Sequence, residues 1–346
     1  NGNYGLNASW TIYNGSKRLN TIKQEKLNNQ AANLDVETSE NSIQESIAQI
    51  YIQILYAAES VKVNENTLQV SIAQRDRGQE LLNAGSIAKS DLAQLEAQVS
   101  TDRYQLVTAQ ATLQDYKLQL KQLLELDGEN EMNVYLPALS DENVLLPLPT
   151  KKDVYMSALT LRPEIEASKL SVEASELGID IAKAGYLPTI SLSAGIGTNH
   201  TSGSDFTFGE QVKNGWNNSI GVSVSVPIFN NRQTKSAVQK AKLQRETSLL
   251  SLLDEQKTLY KTIEGLWLDA NSAQQRYAAA NEKLKSTQIS YDLISEQFNL
   301  GMKNTVELLT EKNNLLQAQQ EQLQAKYMAI LNTQLLKFYQ GDKLAL

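Results

Sequence analysis

Few residues in this 346-residue chain could do chemistry at neutral pH. There is no cysteine and one histidine, His200. A thiol nucleophile, a zinc site and a Ser-His-Asp triad are therefore close to excluded. Glu164 and Glu166 are neighbouring carboxylates, but Pro163 before them marks a helix start, where the helix dipole alone favours acids. The glycines of "GIGTNHTSG" follow a strand-like run and lead into a polar loop, not into the lysine and hydroxyl of a phosphate loop. His200 lies in that loop and reads as a solvated residue. The net charge is −7 with no basic block, so nucleic acid is a poor partner. No catalytic residue, metal site or cofactor is expected, and the chain does not read as an enzyme. What remains is charge aligned along helices. Lys303 and Glu307, four residues apart, share a helix face. As an isolated exposed pair they would contribute only about 0.3–0.5 kcal/mol. Gathered around an axis by several copies, the Glu307 carboxylates would repel one another and favour cations or a raised pKa.

That pair sits in one of two similar stretches. "NAGSIAKSD" spans 83–91 and "NLGMKNTVE" spans 299–307; each centres on a glycine and reaches a carboxylate five or six residues later. Gly85 and Gly301 are 216 residues apart. So are "WTIYNGSKR" at 10–18 and "VPIFNNRQT" at 226–234. Two ungapped anchors at one offset mean an internal repeat with a rigid length between them. If the repeat is whole, its second copy runs from about residue 131 to 346, and its first begins about 85 residues before Asn1. The chain therefore reads as lacking a first helix and strand, and "NGNYGLNASW" as the middle of something.

The elements that position these turns are long helices. No proline lies between Ser16 and Ala84, a stretch that would reach roughly 100 Å as helix. Leu92, Val99, Leu106, Leu113 and Leu120 recur every seven residues, as do Leu309, Leu316, Leu323 and Ile330. Such seams mean supercoiled helices. Mean hydropathy is −0.38 and no run of 18 apolar residues exists, so no transmembrane helix is expected. A β-barrel would escape that scan. Three stretches do alternate: Tyr4, Leu6, Ala8, Trp10 and Ile12; Ile190, Leu192, Ala194 and Ile196; and Ile220, Val222, Val224, Val226 and Ile228, against Ser, Gly, Thr and Asn. A half-buried soluble sheet gives this pattern too. Isolated among long helices, however, such a sheet would leave its apolar face bare. Lipid outside and water inside would satisfy both faces.

Strand, "PIF", polar turn, long helix, glycine turn, long helix, "RPEI", helix, "AKAGYLPTISLSAG", strand and "VPIFNNRQTKSAVQKA" follow one another in this order. The order resembles the outer membrane efflux proteins, the TolC-like family of outer-membrane factors, over essentially the whole chain. The resemblance implies a mainly α fold with a small β part. Long antiparallel coiled-coil helices would form an α-barrel protomer, and short antiparallel strands part of an outer-membrane β-barrel. The divisions would be a barrel strand at 1–15, a long helical hairpin at 16–126 with its tip turn at 84–90, an equatorial connector with a short helix at 127–162, a helix at 163–186, a β-hairpin at 187–230 with an external loop at 199–217, and a second long hairpin at 231–346 with its tip turn at 300–304. The complete protein would be a homotrimer with a 12-stranded barrel, to which this chain offers three of its four strands.

The resemblance also implies a function and a set of positions. The protein would be a passive export duct of a tripartite efflux or type I secretion system, in the outer membrane of a Gram-negative bacterium with most of the chain in the periplasm. Its partners would be outer-membrane lipid, a periplasmic adaptor (membrane fusion) protein and, through it, an inner-membrane pump. The tip turns that dock the adaptor would be Gly85, Ser86, Ile87, Gly301 and Met302. Asp91 matches an acid of the network holding the closed tip, Lys303 its basic partner, and Phe298 a tyrosine that can bond to them. Glu307 matches the first acid narrowing the pore, and Thr310 stands where a second acid is usual. Phe298 and Thr310 depart from the pattern, which shifts closure from polar links toward packing. Leu6, Trp10, Ile190, Leu192, Ile196, Val222, Val224 and Val226 would face lipid. The alternative is a soluble periplasmic coiled-coil adaptor or scaffold, which explains the seams and turns but not the strands.

Overall fold

The computed structural model describes residues 1–126, 133–137 and 144–344. In chain order these form β1 (Gly2–Asn14), α1 (Lys17–Asn83), α2 (Lys89–Leu123), α3 (Lys151–Leu161), α4 (Pro163–Lys183), one 3-10 turn (Ala184–Tyr186), β2 (Thr189–His200), α5 (Phe208–Asn214), β3 (Asn217–Ser225), α6 (Gln233–Asn299) and α7 (Thr305–Tyr339). Much of the expected connector, 127–132 and 138–143, lies outside the described residues. The fold is mainly α with a small antiparallel β part.

The repeat is visible in every backbone irregularity. α1 and α6 have 67 residues each, α2 and α7 have 35 each, and all their ends are displaced by 216. Gly15 and Ser16 have φ of 65° and 65°; Asn231 and Arg232, 216 residues on, have 53° and 63°. Glu125 and Gly341 after the second helices are also left-handed, at 51° and 101°. Left-handed backbone costs a side-chain-bearing residue about 1–2 kcal/mol. Its recurrence at Ser16, Arg232 and Glu125 shows that both copies need the same turns.

The chain divides into two compact units. The first comprises Asn1–Glu37 and Pro163–Lys257 and holds the sheet, whose strand order is β1-β2-β3. Register puts Leu6 opposite Ile196, Trp10 opposite Leu192, Leu192 opposite Val222 and Ile190 opposite Val224. These residues share one face because paired residues point the same way. The other face pairs Gly5 with Gly197, Ser9 with Ser193, and Ser191 with Ser223. Ile12 and Tyr13 depart from simple alternation. A bulge between Thr11 and Tyr13 brings Tyr13 opposite Ile190, onto the apolar face. The third strand ends at Ser225, short of its alternating run, because Pro227 has no N–H to continue the ladder.

Around the sheet, α4 is tied to α1 by Gln24 Nε2, which donates to the Ala174 carbonyl at 2.8 Å, and to α6 by an Arg245–Glu176 ion pair at 2.8 Å. The segment after β2 is not all loop. The Thr207 hydroxyl and Glu210 carboxylate cap the start of α5 reciprocally. Thr198 Oγ1 donates to the Val212 carbonyl at 2.9 Å and holds α5 against the strand. His200 consequently ends β2 rather than sitting in a loop. Its ring meets Phe208 at 5.1 Å, and its Nδ1 is buried without a hydrogen-bond partner among the described residues.

The second unit comprises Thr38–Arg162 and Thr258–Leu346. Its largest buried cluster joins Ala48, Ile52 and Leu55 of α1 to Leu323, Tyr327, Leu331 and Leu335 of α7. Near the end of α7, the Arg162 guanidinium lies 4.1 Å from the Tyr339 ring and 3.2 Å from Glu45. The described part of the connector is strapped onto α6. Trp267 Nε1 donates to the Pro149 carbonyl at 3.0 Å, and Gln274 Nε2 donates to the carbonyls of Val144 and Leu146 at 3.0 and 2.8 Å. No described helix is apolar enough to cross a membrane.

Gln274→Ala should free two connector carbonyls at a cost of about 1–2 kcal/mol. Limited proteolysis should then cut residues 133–150 faster, with the helical circular dichroism unchanged.

Candidate functional site: the paired glycine turns

The turns at residues 84–88 and 300–304 are the same structure made twice. Both glycines have φ of 74°. Gly85 N–H bonds to the Leu82 carbonyl and Ser86 N–H to Leu81; Gly301 bonds to Phe298 and Met302 to Gln297. This pattern closes the last carbonyls of each long helix and needs a left-handed residue at the glycine. Neither glycine has a neighbour within 4 Å of where a Cβ would stand, so conformation, not crowding, selects it. Ser86 is exposed, and Met302 is 71% exposed. Ile87 is half-buried and turns inward, close to Gly78.

The following helices start differently. Asn304 Oδ1 accepts from the Glu307 N–H at 2.9 Å, and Glu307 Oε2 accepts from the Asn304 N–H at 3.2 Å. Lys303 Nζ adds a bond to Glu307 Oε1 at 2.5 Å. Lys303 occupies the position of Ile87, and Glu307 that of Asp91, 216 residues on. Asp91 Oδ2 accepts from the Ala88 N–H at 3.0 Å and so supports the start of α2. Within one chain, then, Lys303 pairs with Glu307 while Asp91 serves its own helix. Thr310 is exposed, and its hydroxyl donates to the Val306 carbonyl at 2.7 Å.

Apolar packing joins the two hairpins just behind the turns. Phe298 is 3% exposed and sits in a cluster with Leu95 and Leu308, flanked by Leu81, Tyr291, Ile294 and Leu309. All four long helices contribute. Gly78 allows the close approach of α1 and α2, since a Cβ there would lie 2.4 Å from Leu95 Cδ1. Gln74 Nε2 donates to Tyr291 OH at 2.8 Å, and burial raises the Tyr291 pKa above the usual phenol value.

Sequence reasoning missed a buried polar group slightly further from the turns: Asp102, Lys312 and Ser71. A signal existed. Lys312 lies between Leu308 and Leu315, and Asp102 follows Leu95 and Val99, so each interrupts an apolar stripe. Among the described residues no cluster of His, Asp or Glu could hold a metal ion.

The strand residues expected to face lipid form a second, separate surface. Leu6, Trp10, Val222 and Val224 are exposed, Ile196 is borderline exposed, and Ile190 and Leu192 are half-buried between their neighbours; all lie on the apolar face. Val226 is exposed one residue beyond the end of β3.

The Lys303 hydrogen bond, with the Asn304 amide second, holds the Glu307 carboxyl below the usual carboxylate range. A depressed pKa contributes stability above the ordinary value, and that contribution is lost as pH falls through the lower folded value. The start of α7 should therefore be well protected in amide exchange at neutral pH and lose protection at Asn304–Leu308 below about pH 4. Gly301→Ala should cost about 1–2 kcal/mol through its left-handed φ, measured by thermal unfolding.

The outer membrane efflux protein family matches residues 1–125 and 154–341 of this chain. Among its relatives, the outer membrane efflux protein BepC of Brucella suis is 24% identical over 333 residues, covering 95% of this chain and 70% of BepC. The outer membrane protein TolC of Escherichia coli is 26% identical over 344 residues, covering 94% of this chain and 66% of TolC. The chain thus spans about two thirds of the length of these relatives. The solved structure of CusC, a cation efflux system protein of Escherichia coli, superposes with a TM-score of 0.83 at 20% identity, over 99% of this chain and 78% of that one; this likeness shows the fold. The chain belongs to the outer membrane efflux protein family, a family of passive outer-membrane channels and not of enzymes.

Proposed function

We propose that this chain is the outer-membrane duct of a tripartite efflux or type I secretion system. It is passive and trimeric, and its paired glycine turns close the periplasmic end until an adaptor engages them. An inner-membrane pump supplies the energy and selects the substrate. The observation that carries this reading is the inverted sheet. Its broad apolar face, with Leu6, Trp10, Val222 and Val224, is exposed, while serines and glycines line the opposite face. In water that arrangement wastes the hydrophobic effect; between lipid and an aqueous lumen it satisfies both faces.

The repeat supports a neighbouring copy. The stretch of α7 from Gln322 to Leu335 is largely buried by the rest of its unit. The equivalent stretch of α2, 106–119, has no fully buried residue, and Val107 and Leu118 are exposed. Equivalent helices in one fold should meet equivalent surroundings, and a second chain would cover α2 as this chain covers α7. The turns are then brought together in threes around one axis, with exposed Gly85, Ser86, Gly301 and Met302 presented to an adaptor.

Planar-bilayer recording of the full-length protein tests the duct. Small, stable steps are expected, and Lys303→Glu should enlarge them by setting two carboxylates against each other at each turn. Unchanged step size in that variant would sink the gate assignment. A protein that stays monodisperse without detergent and never inserts would instead be a soluble helical scaffold. Val222→Arg should destabilise the inserted barrel by about 2–4 kcal/mol, read by denaturant titration in lipid.

A further inference from the structure

Asp102 of α2 and Lys312 of α7 form an ion pair in which the side chains are 1% and 3% exposed. Ser71 of α1 completes the group. Its hydroxyl donates to Asp102 Oδ2, and Lys312 Nζ donates to both that oxygen and Ser71 Oγ. Gln98 Nε2 donates to Asp102 Oδ1 at 2.9 Å, so both carboxylate oxygens are engaged. Three helices from two hairpins therefore meet at one buried charge pair. The apolar cluster of Leu95, Phe298 and Leu308 lies at the neighbouring turns of the same helices. A buried pair adds little over a well-packed apolar pair, yet loss of one partner strands the other charge. Its main effect is to fix which faces meet and at what register.

The repeat shows where this group is absent. Residues equivalent to Ser71 and Asp102 are Thr287 and Ala318, and the residue equivalent to Lys312 is Glu96. The Thr287 hydroxyl donates to its own helix, at the Lys283 carbonyl, 2.9 Å away. Ala318 is fully buried and Glu96 is exposed. Around a trimer, the junction of α1, α2 and α7 lies within a chain. Its equivalent would join α6 and α7 of one chain to α2 of the next. Only the first has a cation facing an acid at these positions.

We propose that Ser71, Asp102 and Lys312 are positioning residues that clasp the two hairpins of each chain into one block. The tip then opens by parting neighbouring chains at the unclasped junctions, and the hairpins of one chain stay together. This rests on the reading of the protein as a trimeric duct.

The test uses the absence of cysteine from the chain. Gln98→Cys and Asn313→Cys place two thiols across α2 and α7 beside the clasp, where the native side chains approach to 3.4 Å. These are combined with Lys303→Glu, and single channels are recorded before and after bridging with a short bis-methanethiosulfonate. The enlarged steps are expected to survive bridging unchanged. A return to small steps would overturn the proposal, since it would show that the hairpins of one chain must part. Failure of the unsubstituted protein to conduct at all would instead remove the duct reading. The clasp has its own readout whatever the channel does. In the detergent-solubilised full-length protein, Lys312→Met should speed amide exchange at least about tenfold in the facing segments of α1, α2 and α7. Ser71→Ala, which removes one hydroxyl and keeps both charges, should do so about fivefold. Exchange unchanged in both variants would overturn the clasp. Exchange raised equally along the far part of α6 would show a general loss of stability and would overturn it too.

Discussion

Two pairs of helices must end in the same plane, and everything at the turns depends on that. A difference of one residue between α1 and α6 would displace one turn by about 1.5 Å and rotate it by about 100°. The side chains behind it would then face the wrong helix. Equal lengths of 67 and 35 residues, with the same left-handed residues at each end, meet this constraint. Only then can Leu95, Phe298 and Leu308 share one cluster, and only then can Asp102 reach Lys312. The repeat is thus a way of keeping two hairpins isometric. A heptad seam alone would permit a slip by seven residues at small cost; a buried charge pair would not.

Symmetry of backbone does not bring symmetry of chemistry. At one turn the inward residue is Ile87, packed beside Gly78; at the other it is Lys303, bonded to Glu307. The first contact is insensitive to pH and salt, and the second depends on both. Asp91 and Glu307 both serve as the third residue of a helix, yet only Glu307 has a cation beside it. The two hairpins therefore carry one shared geometry and two different responses to charge.

Much of this was legible in the chain. A glycine that must be left-handed leaves a mark at Gly85 and Gly301, and one offset linked those turns to the strand–helix corners. Period-two alternation exposed the strands because their two faces meet different media. The features that were not legible are those decided by a partner element. The bulge that swaps Ile12 for Tyr13 depends on how β2 meets β1. The placement of His200 depends on a short helix whose capping box is local but whose docking is not. Phe298 was read as a departure from a hydrogen-bonding position. Its burial between four helices shows that packing occupies that place instead. The ion pair of Asp102 and Lys312 needed the rotation of three helices to be known, although each residue already stood out as a charge on an apolar stripe.

That last case bears on how such a wall of helices can be both stable and able to move. Apolar seams are permissive, since one leucine row accepts another at several offsets. A wall held by seams alone would yield everywhere at once. A buried ion pair makes one junction stiff because parting it requires charge to be exposed or stranded, whereas an adjoining junction of alanine, threonine and exposed glutamate has no such penalty. Motion under load then goes to the junction without the pair. In this chain the difference between the two equivalent junctions comes down to three positions, Ser71 for Thr287, Asp102 for Ala318 and Lys312 for Glu96, within helices that otherwise match residue for residue in length.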